Sequence, residues 1–196
     1  MRIKKLITSS LILFPLLILV ACNSNSNLNR QDSESNATQA VTTKGKSVLF
    51  INASQHTNGN TARMGETLLD GIDHDTLNLI NYQMNQLGQN FEGDQFNNII
   101  SAIEKADTIV IGTPIYWHTM SGSLKTFIDR LYDLQNDNAL QGKKLYFFLQ
   151  GSAPTEDDIA QVEFIMSRVA SQTGMDLIGS ASNDQEITSL HNDLIK

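Results

Sequence analysis

From position 48 onward, short apolar runs alternate with stretches in which apolar residues recur every three or four positions. Val48 to Ile51 reads as a buried strand, and Met64, Leu68, Leu69 and Ile72 follow it at helical spacing. Leu77 to Ile80 gives a second strand, and Phe96, Ile99, Ile100 and Ile103 mark a second helix. The β-branched run Thr108 to Ile111 predicts a third strand. Met120, Leu124, Phe127, Ile128 and Leu131 then form the clearest helical stripe in the chain. Leu145 to Leu149 predicts a fourth strand, and Ile159, Val162, Ile165, Met166 and Val169 line a fourth helix. Met175 to Gly179 is a weaker fifth strand, and Glu186 to Lys196 closes the chain as a short helix.

Strict alternation of this kind is the pattern of βα units around a parallel sheet. Right-handed crossovers, with helices needed on both faces, turn it into a three-layer α/β/α domain around a doubly wound five-stranded parallel sheet of order 2-1-3-4-5. In such a sheet a ligand sits at the carboxyl ends of the strands that flank the reversal in strand order. Those ends are the loops after the first, third and fourth strands.

The residues ahead of this domain have a different character. Arg2, Lys4 and Lys5 precede an apolar run from Leu6 to Val20, and the run ends in Leu19-Val20-Ala21-Cys22. This reads as a secretory leader whose end resembles the bacterial lipobox, which would make Cys22 the lipidated new N-terminus; the alternatives are an ordinary leader with an incidental cysteine, or an uncleaved anchor. From Asn23 to about Thr43, Asn, Ser, Gln and Thr dominate, as in a disordered polar linker. The expected organisation is therefore a signal peptide at 1–21, a linker carrying the lipid at 22–45, and one domain at 46–196, held outside the cell on the membrane.

Charge and cysteine count narrow the chemistry. The net charge of −7, falling to about −10 once the leader's three cations are lost, argues against a nucleic-acid partner. Contact with an anionic membrane then has to come from the lipid. Because Cys22 is the single cysteine, no disulfide or iron–sulfur cluster forms within one chain, and the four histidines show no metal spacing, so no metal is expected.

The first loop, Ala53-Ser54-Gln55-His56-Thr57-Asn58-Gly59-Asn60-Thr61, places hydroxyl and amide donors at a helix N-terminus, where free N–H groups and the helix dipole favour a phosphate. It is neither a Walker loop nor a dinucleotide fingerprint. Alone, its composition favours a turn capped by Asn58 or Asn60. The second loop, Gly112 to Gly122, shifts that balance, because its adjacent Tyr116 and Trp117 beside Pro114 suit a flat heterocycle, the other reading being a hydrophobic plug or a dimer contact. His118 in the same loop is either a proton or hydrogen-bond donor to a reduced ring or a quinone oxygen, or a surface residue. In the third loop, Gly151 permits close backbone approach to a ring. Asp129 and Arg130 on the following helix read as an interhelical or dimer ion pair.

The segments VLFINASQHTNGNT and ADTIVIGTPIYWHTMSGSLKTFIDRLYDL resemble the NAD(P)H-dependent FMN reductase and quinone reductase branch of the flavodoxin-like flavoproteins. The resemblance implies a flavodoxin-like fold with FMN as cofactor and NAD(P)H as a possible donor. It implies Ser54, His56, Asn60 and Thr61 around the phosphate, and Pro114, Ile115, Tyr116 and Trp117 against the isoalloxazine, with Gly151 and Ser152 on the ring's other side. It further implies a homodimer that passes electrons to a quinone, a flavin or a similar acceptor. The alternative is a tethered flavin carrier without substrate turnover. The phosphate loop departs from the family pattern, with Ala53 for the usual glycine and Gln55-His56 for the usual Pro-Arg or Pro-Lys. The missing cation weakens the expected hold on a dianion by about 1–2 kcal/mol, partly restored if His56 is protonated.

Overall fold

The computed structural model describes residues 47–134 and 138–196, so the predicted leader, linker and Cys22 lie outside the described residues. In chain order the elements are β1 (Val48–Asn52), α1 (Asn60–Leu68), β2 (Asp75–Asn78), α2 (Phe96–Glu104), β3 (Thr108–Tyr116) and β4 (Thr119–Met120). They continue with α3 (Gly122–Arg130), β5 (Lys144–Gln150), α4 (Glu156–Thr173), β6 (Asp176–Ala181) and α5 (Asp184–Leu194). Five strands run parallel in the order β2-β1-β3-β5-β6, which is the expected 2-1-3-4-5 order once the small β4, antiparallel to β3, is set aside. Among the described residues, no helix is long and apolar enough to cross a membrane.

Side chains alternate along each central strand, and the alternation divides the core in two. Leu49 and Ile51 of β1, Ile109 and Ile111 of β3, and Leu145, Phe147 and Leu149 of β5 pack with Ile99 and Ile103 of α2, Leu124 and Phe127 of α3, and Val162 and Met166 of α4. The opposite face takes Val48, Phe50, Val110, Tyr146 and Phe148, covered by Leu68 of α1 and by Ile187 and Leu190 of α5. Both faces are thus buried, and the strands read as continuous apolar runs because of it.

Several boundaries differ from the sequence expectation. The second strand ends at Asn78 rather than Ile80, and Leu79–Asn81 forms a 3₁₀ turn that leaves Ile80 exposed. As an edge strand, β2 can begin with the exposed polar residues Asp75 and Thr76, because its pairing to Leu49 and Phe50 runs through the backbone. The first helix stops at Leu68, with Leu69 and Ile72 buried in the turn that follows. Met120 belongs to β4, not to the helical stripe, and α3 begins at Gly122 with the Ser121 hydroxyl accepting the Leu124 N–H as its cap. The last strand runs to Ala181, two residues past the expected end at Gly179, and α5 opens at Asp184 rather than Glu186.

Asp129 pairs within its own helix with Lys125, at 2.6 Å. Arg130 instead crosses to Asp94 ahead of α2 (2.8 Å), bonds Asp133 and the Asn85 carbonyl, and lies 4.5 Å from the centre of the Phe96 ring. Burial alone would raise the Asp94 carboxyl, but the Arg130 bond, the Asn85 N–H and the guanidinium charge carry it below its ordinary value.

Two glycines make room for a stacked aromatic pair in the core. Phe50 and Phe148 stack with ring centres 5.9 Å apart. A Cβ on Gly65 of α1 would fall 2.4 Å from the Phe50 ring, and one on Gly112 of β3 would fall 2.2 Å from the Phe148 ring. Gly112→Ala is expected to destabilise the domain by about 1–3 kcal/mol through overpacking. Equilibrium urea denaturation measures this, and Phe148→Leu in the same chain is expected to recover part of the loss.

Candidate functional site at the carboxyl edge of the sheet

The first loop leaves β1 through a fully buried Asn52. Its Oδ1 accepts the Ser54 N–H (3.1 Å), while its Nδ2 donates to Asn78 Oδ1 (2.9 Å) and to the His56 carbonyl (3.3 Å). Ser54 is buried, and its hydroxyl accepts the His56 N–H at 3.1 Å. The loop then enters α1 with Gly59 at the cap position, so no side chain accepts the helix's first N–H groups. By contrast, α3, α4 and α5 each have a side-chain cap, from Ser121, Thr155 and Asn183. Neither Asn58 nor Asn60 acts as the cap; the Asn60 carboxamide instead accepts a hydrogen bond from the exposed Arg63 guanidinium. An uncapped helix start beside a guanidinium is a ready anion site.

The second segment is largely strand rather than loop. β3 continues through Gly112, Thr113, Pro114 and Ile115 to Tyr116, and returns as β4 by pairing Tyr116 with Thr119 and Ile115 with Met120. Trp117 and His118 form the two-residue turn between them, both at positive φ (49° and 65°), as a type I′ hairpin requires. Trp117 is 95% exposed, and with Gln55, Ile115 and Tyr116 it bounds an open depression of about 380 Å³.

The third loop follows β5. Gly151 comes so close to Ile115 that a Cβ there would meet the Ile115 Cβ at 3.3 Å, and Ser152 is exposed. At the start of α4, Thr155 and Asp158 form a reciprocal capping box. Asp158 is 7% exposed, and both its carboxylate oxygens lie within hydrogen-bond distance of His118 Nδ1, at 3.1 and 3.2 Å. The Thr155 N–H holds the Asp158 carboxyl below its ordinary value, with the Thr155 hydroxyl and His118 adding to the shift against the opposing effect of burial.

Side-chain bonds join the three segments in pairs. The Ser121 and Ser123 hydroxyls both donate to the Ala53 carbonyl (2.7 and 2.9 Å), linking the hairpin's end to the first loop. Gln150 Nε2 donates to the Thr61 hydroxyl (3.0 Å), linking the third segment to the first. His118 and Asp158 link the second to the third.

The structure therefore gathers Ser54, His56, Asn60, Thr61, Pro114, Ile115, Tyr116, Trp117, His118, Gly151 and Ser152 along one edge of the sheet. Within that group the Thr61 hydroxyl is buried and engaged by Gln150, whereas His56 and Asn60 are exposed. Sequence reasoning overlooked three residues. Arg63 was legible as a cation in the first turn of the helix after the loop, whereas Asn52 and Asp158 acquire their roles only through contacts distant in sequence.

On this sheet edge the uncapped start of α1 suits a phosphate, and the aromatic hairpin beside an open depression suits a flat ring, so the residues present fit a flavin mononucleotide. Residues 47–175 match the family described as NADPH-dependent FMN reductase, and the chain belongs to that family of oxidoreductases. It is 32% identical over 91 residues to YwqN of Bacillus subtilis, which is assigned as an NAD(P)H-dependent FMN-containing oxidoreductase; the match covers 42% of this chain and half the length of that relative. It is also 29% identical over 136 residues to the FMN-dependent NADH:quinone oxidoreductase of Pseudoalteromonas atlantica, covering 53% of this chain and 67% of that one. Among solved structures, the Trp repressor binding protein from Bacillus subtilis aligns with a TM-score of 0.61 at 23% identity, over 74% of this chain and 98% of the other. The apo NADH:FMN oxidoreductase EMOB aligns at 0.58 and 20% identity, over 76% and 88%. These two structural likenesses speak to the fold.

Asn52→Ala would leave the buried Ser54 N–H without an acceptor and free the first loop from β2. A loss of about 1–3 kcal/mol is expected in urea denaturation, together with weaker FMN binding by fluorescence titration.

Proposed function

We propose that this protein is an FMN-dependent oxidoreductase that passes electrons from NAD(P)H or another donor to a quinone, flavin or similar acceptor. The observation that carries this reading is the pairing of an uncapped α1 N-terminus beside Arg63 with an exposed aromatic hairpin across the same sheet edge. The N–H groups of Gly59 to Thr61 and the Arg63 guanidinium would hold the phosphate. The backbone of Pro114 to Trp117, with Gly151 and Ser152 opposite, would hold the ring. When bound, FMN supplies the redox chemistry, taking up two electrons from one partner and releasing them to another. The chain's own residues bind and orient it and leave one side of the site open to substrate.

The purified full-length protein is expected to bind FMN and to oxidise NAD(P)H in the presence of a quinone or free flavin. Arg63→Ala is expected to weaken FMN binding by about 1–2 kcal/mol, roughly five- to thirtyfold. A protein that takes up no FMN, followed by absorbance after desalting, overturns the reading. Tight FMN without turnover points instead to a flavin carrier.

The address of this activity is also proposed. The basic start, apolar run and Ala21-Cys22 junction support a lipid-anchored protein outside the cell membrane, acting as a homodimer in keeping with the family resemblance. Mass spectrometry of the membrane-bound protein is expected to find the chain beginning at Cys22 with a lipid on its sulfur, and an unmodified cysteine or an intact leader overturns the lipid assignment.

A further inference from the structure

His118 is held in a way its turn does not require. At φ 65° the position suits glycine or asparagine, yet it carries an imidazole whose side chain is 77% exposed. Its Nδ1 nevertheless lies against the nearly buried Asp158 carboxylate. An ionised carboxylate only accepts hydrogen bonds, so Nδ1 carries the hydrogen, and Nε2 on the far side of the ring is left without a protein partner among the described hydrogen bonds. The turn sits at the rim of the depression bounded by Gln55, Ile115, Tyr116 and Trp117. Asp158 is the one described charged group within ion-pair distance of His118. Glu156 and Asp157 share its helical turn and are exposed.

We propose that His118 and Asp158 form a proton-delivery pair, in which His118 gives a proton to the electron acceptor from Nε2 and Asp158 is the positioning residue that fixes the ring through Nδ1. This rests on the reading of the site as an FMN-dependent reductase. The balance for a quinone-like acceptor is simple. Two electrons and one proton arrive together as a hydride equivalent from the reductant, and the second proton leaves His118 Nε2 for the acceptor oxygen, giving the hydroquinone. The imidazole is left neutral with Nδ1–H still bonded to Asp158, and its exposure lets solvent reprotonate Nε2. The pair therefore fits acceptors that must gain a proton at oxygen along with their electrons, and does nothing for an acceptor that takes electrons alone.

The test compares reoxidation of the reduced, FMN-loaded full-length protein by benzoquinone and by ferricyanide, which takes up no proton. The wild type reduces both. Asp158→Asn lowers the quinone rate about tenfold or more and leaves ferricyanide within about twofold. Asp158→Glu restores part of the quinone rate. Thr155→Ala damages the same helix cap but keeps the carboxylate, and leaves the quinone rate near that of the wild type. Independently of flavin, ¹⁵N spectra of the neutral imidazole show the Nδ1–H tautomer in the wild type and its loss in Asp158→Asn. Equal losses with both acceptors, an unchanged quinone rate in Asp158→Asn, a Thr155→Ala variant that mimics it, or a wild-type ring in the Nε2–H form each overturns the proposal. A wild type that binds no FMN and reduces neither acceptor overturns the reductase reading and takes proton delivery with it. A wild type that reduces both, with Asp158→Asn slowing them equally, overturns the proton-delivery pair alone.

Discussion

The buried carboxamide of Asn52 carries the first turn of chain beyond the sheet. β1 is covered on both faces and flanked by β2 and β3, so the polar groups where it ends have no solvent to fall back on. Asn52 resolves this by serving Ser54, His56 and Asn78 at once. Ala53 completes the arrangement, with its N–H on the Gly112 carbonyl and its own carbonyl accepting Ser121 and Ser123. The start of the first loop is thus bonded to both neighbouring strands before any ligand enters. The two remaining links, Gln150 to Thr61 and His118 to Asp158, join the three segments into a closed chain of contacts. A site organised in this way has already met much of the ordering cost that binding otherwise imposes.

Electrostatics work on two scales here, and they oppose one another. FMN and NAD(P)H are anionic, and the chain carries a net −7. Salt screens that repulsion beyond about 8–10 Å, so it acts chiefly on the rate of approach. In the binding mode proposed for FMN, the uncapped N–H groups of α1 and the Arg63 guanidinium would dominate at contact. Arg63 also changes the view of this loop: the cation missing after Ser54 has a counterpart one turn into the helix.

How far the sequence revealed all this follows from where each signal resides. The alternation of strands and helices was legible because both sheet faces are buried, which leaves β1, β3 and β5 as unbroken apolar runs. The continuation of β3 was not, since Gly112 and Pro114 read locally as turn residues. In the fold, Gly112 is there to admit the Phe148 ring, and Thr113 and Pro114 lie in register with Leu149 and Gln150. The start of β2 was hidden by its polar edge residues Asp75 and Thr76. At the site, the aromatic pair and the donor-rich loop announced themselves by composition. Asp158 did not, because a carboxylate in a capping box looks the same in sequence whether or not a histidine forty positions earlier folds onto it.

The hairpin turn makes that last contact informative. A two-residue I′ turn is most easily made by Asn-Gly, and placing larger residues at positive φ costs on the order of 1–3 kcal/mol each. Trp117 and His118 occupy both central positions, and neither gains burial in return, one being 95% exposed and the other exposed over most of its side chain. β4 is only two residues long, so the ladder alone supplies little to offset the strain. The hairpin is held instead at its base, where Met120 is buried, the Thr113 hydroxyl accepts the Ser121 N–H and the Ser121 hydroxyl donates to the Ala53 carbonyl, and at its tip, where Asp158 holds the imidazole. A turn strained at its tip and tied at both ends holds the His118 ring in one orientation. The proton delivery proposed for His118 would account for residues of this size at a turn that smaller ones make more easily.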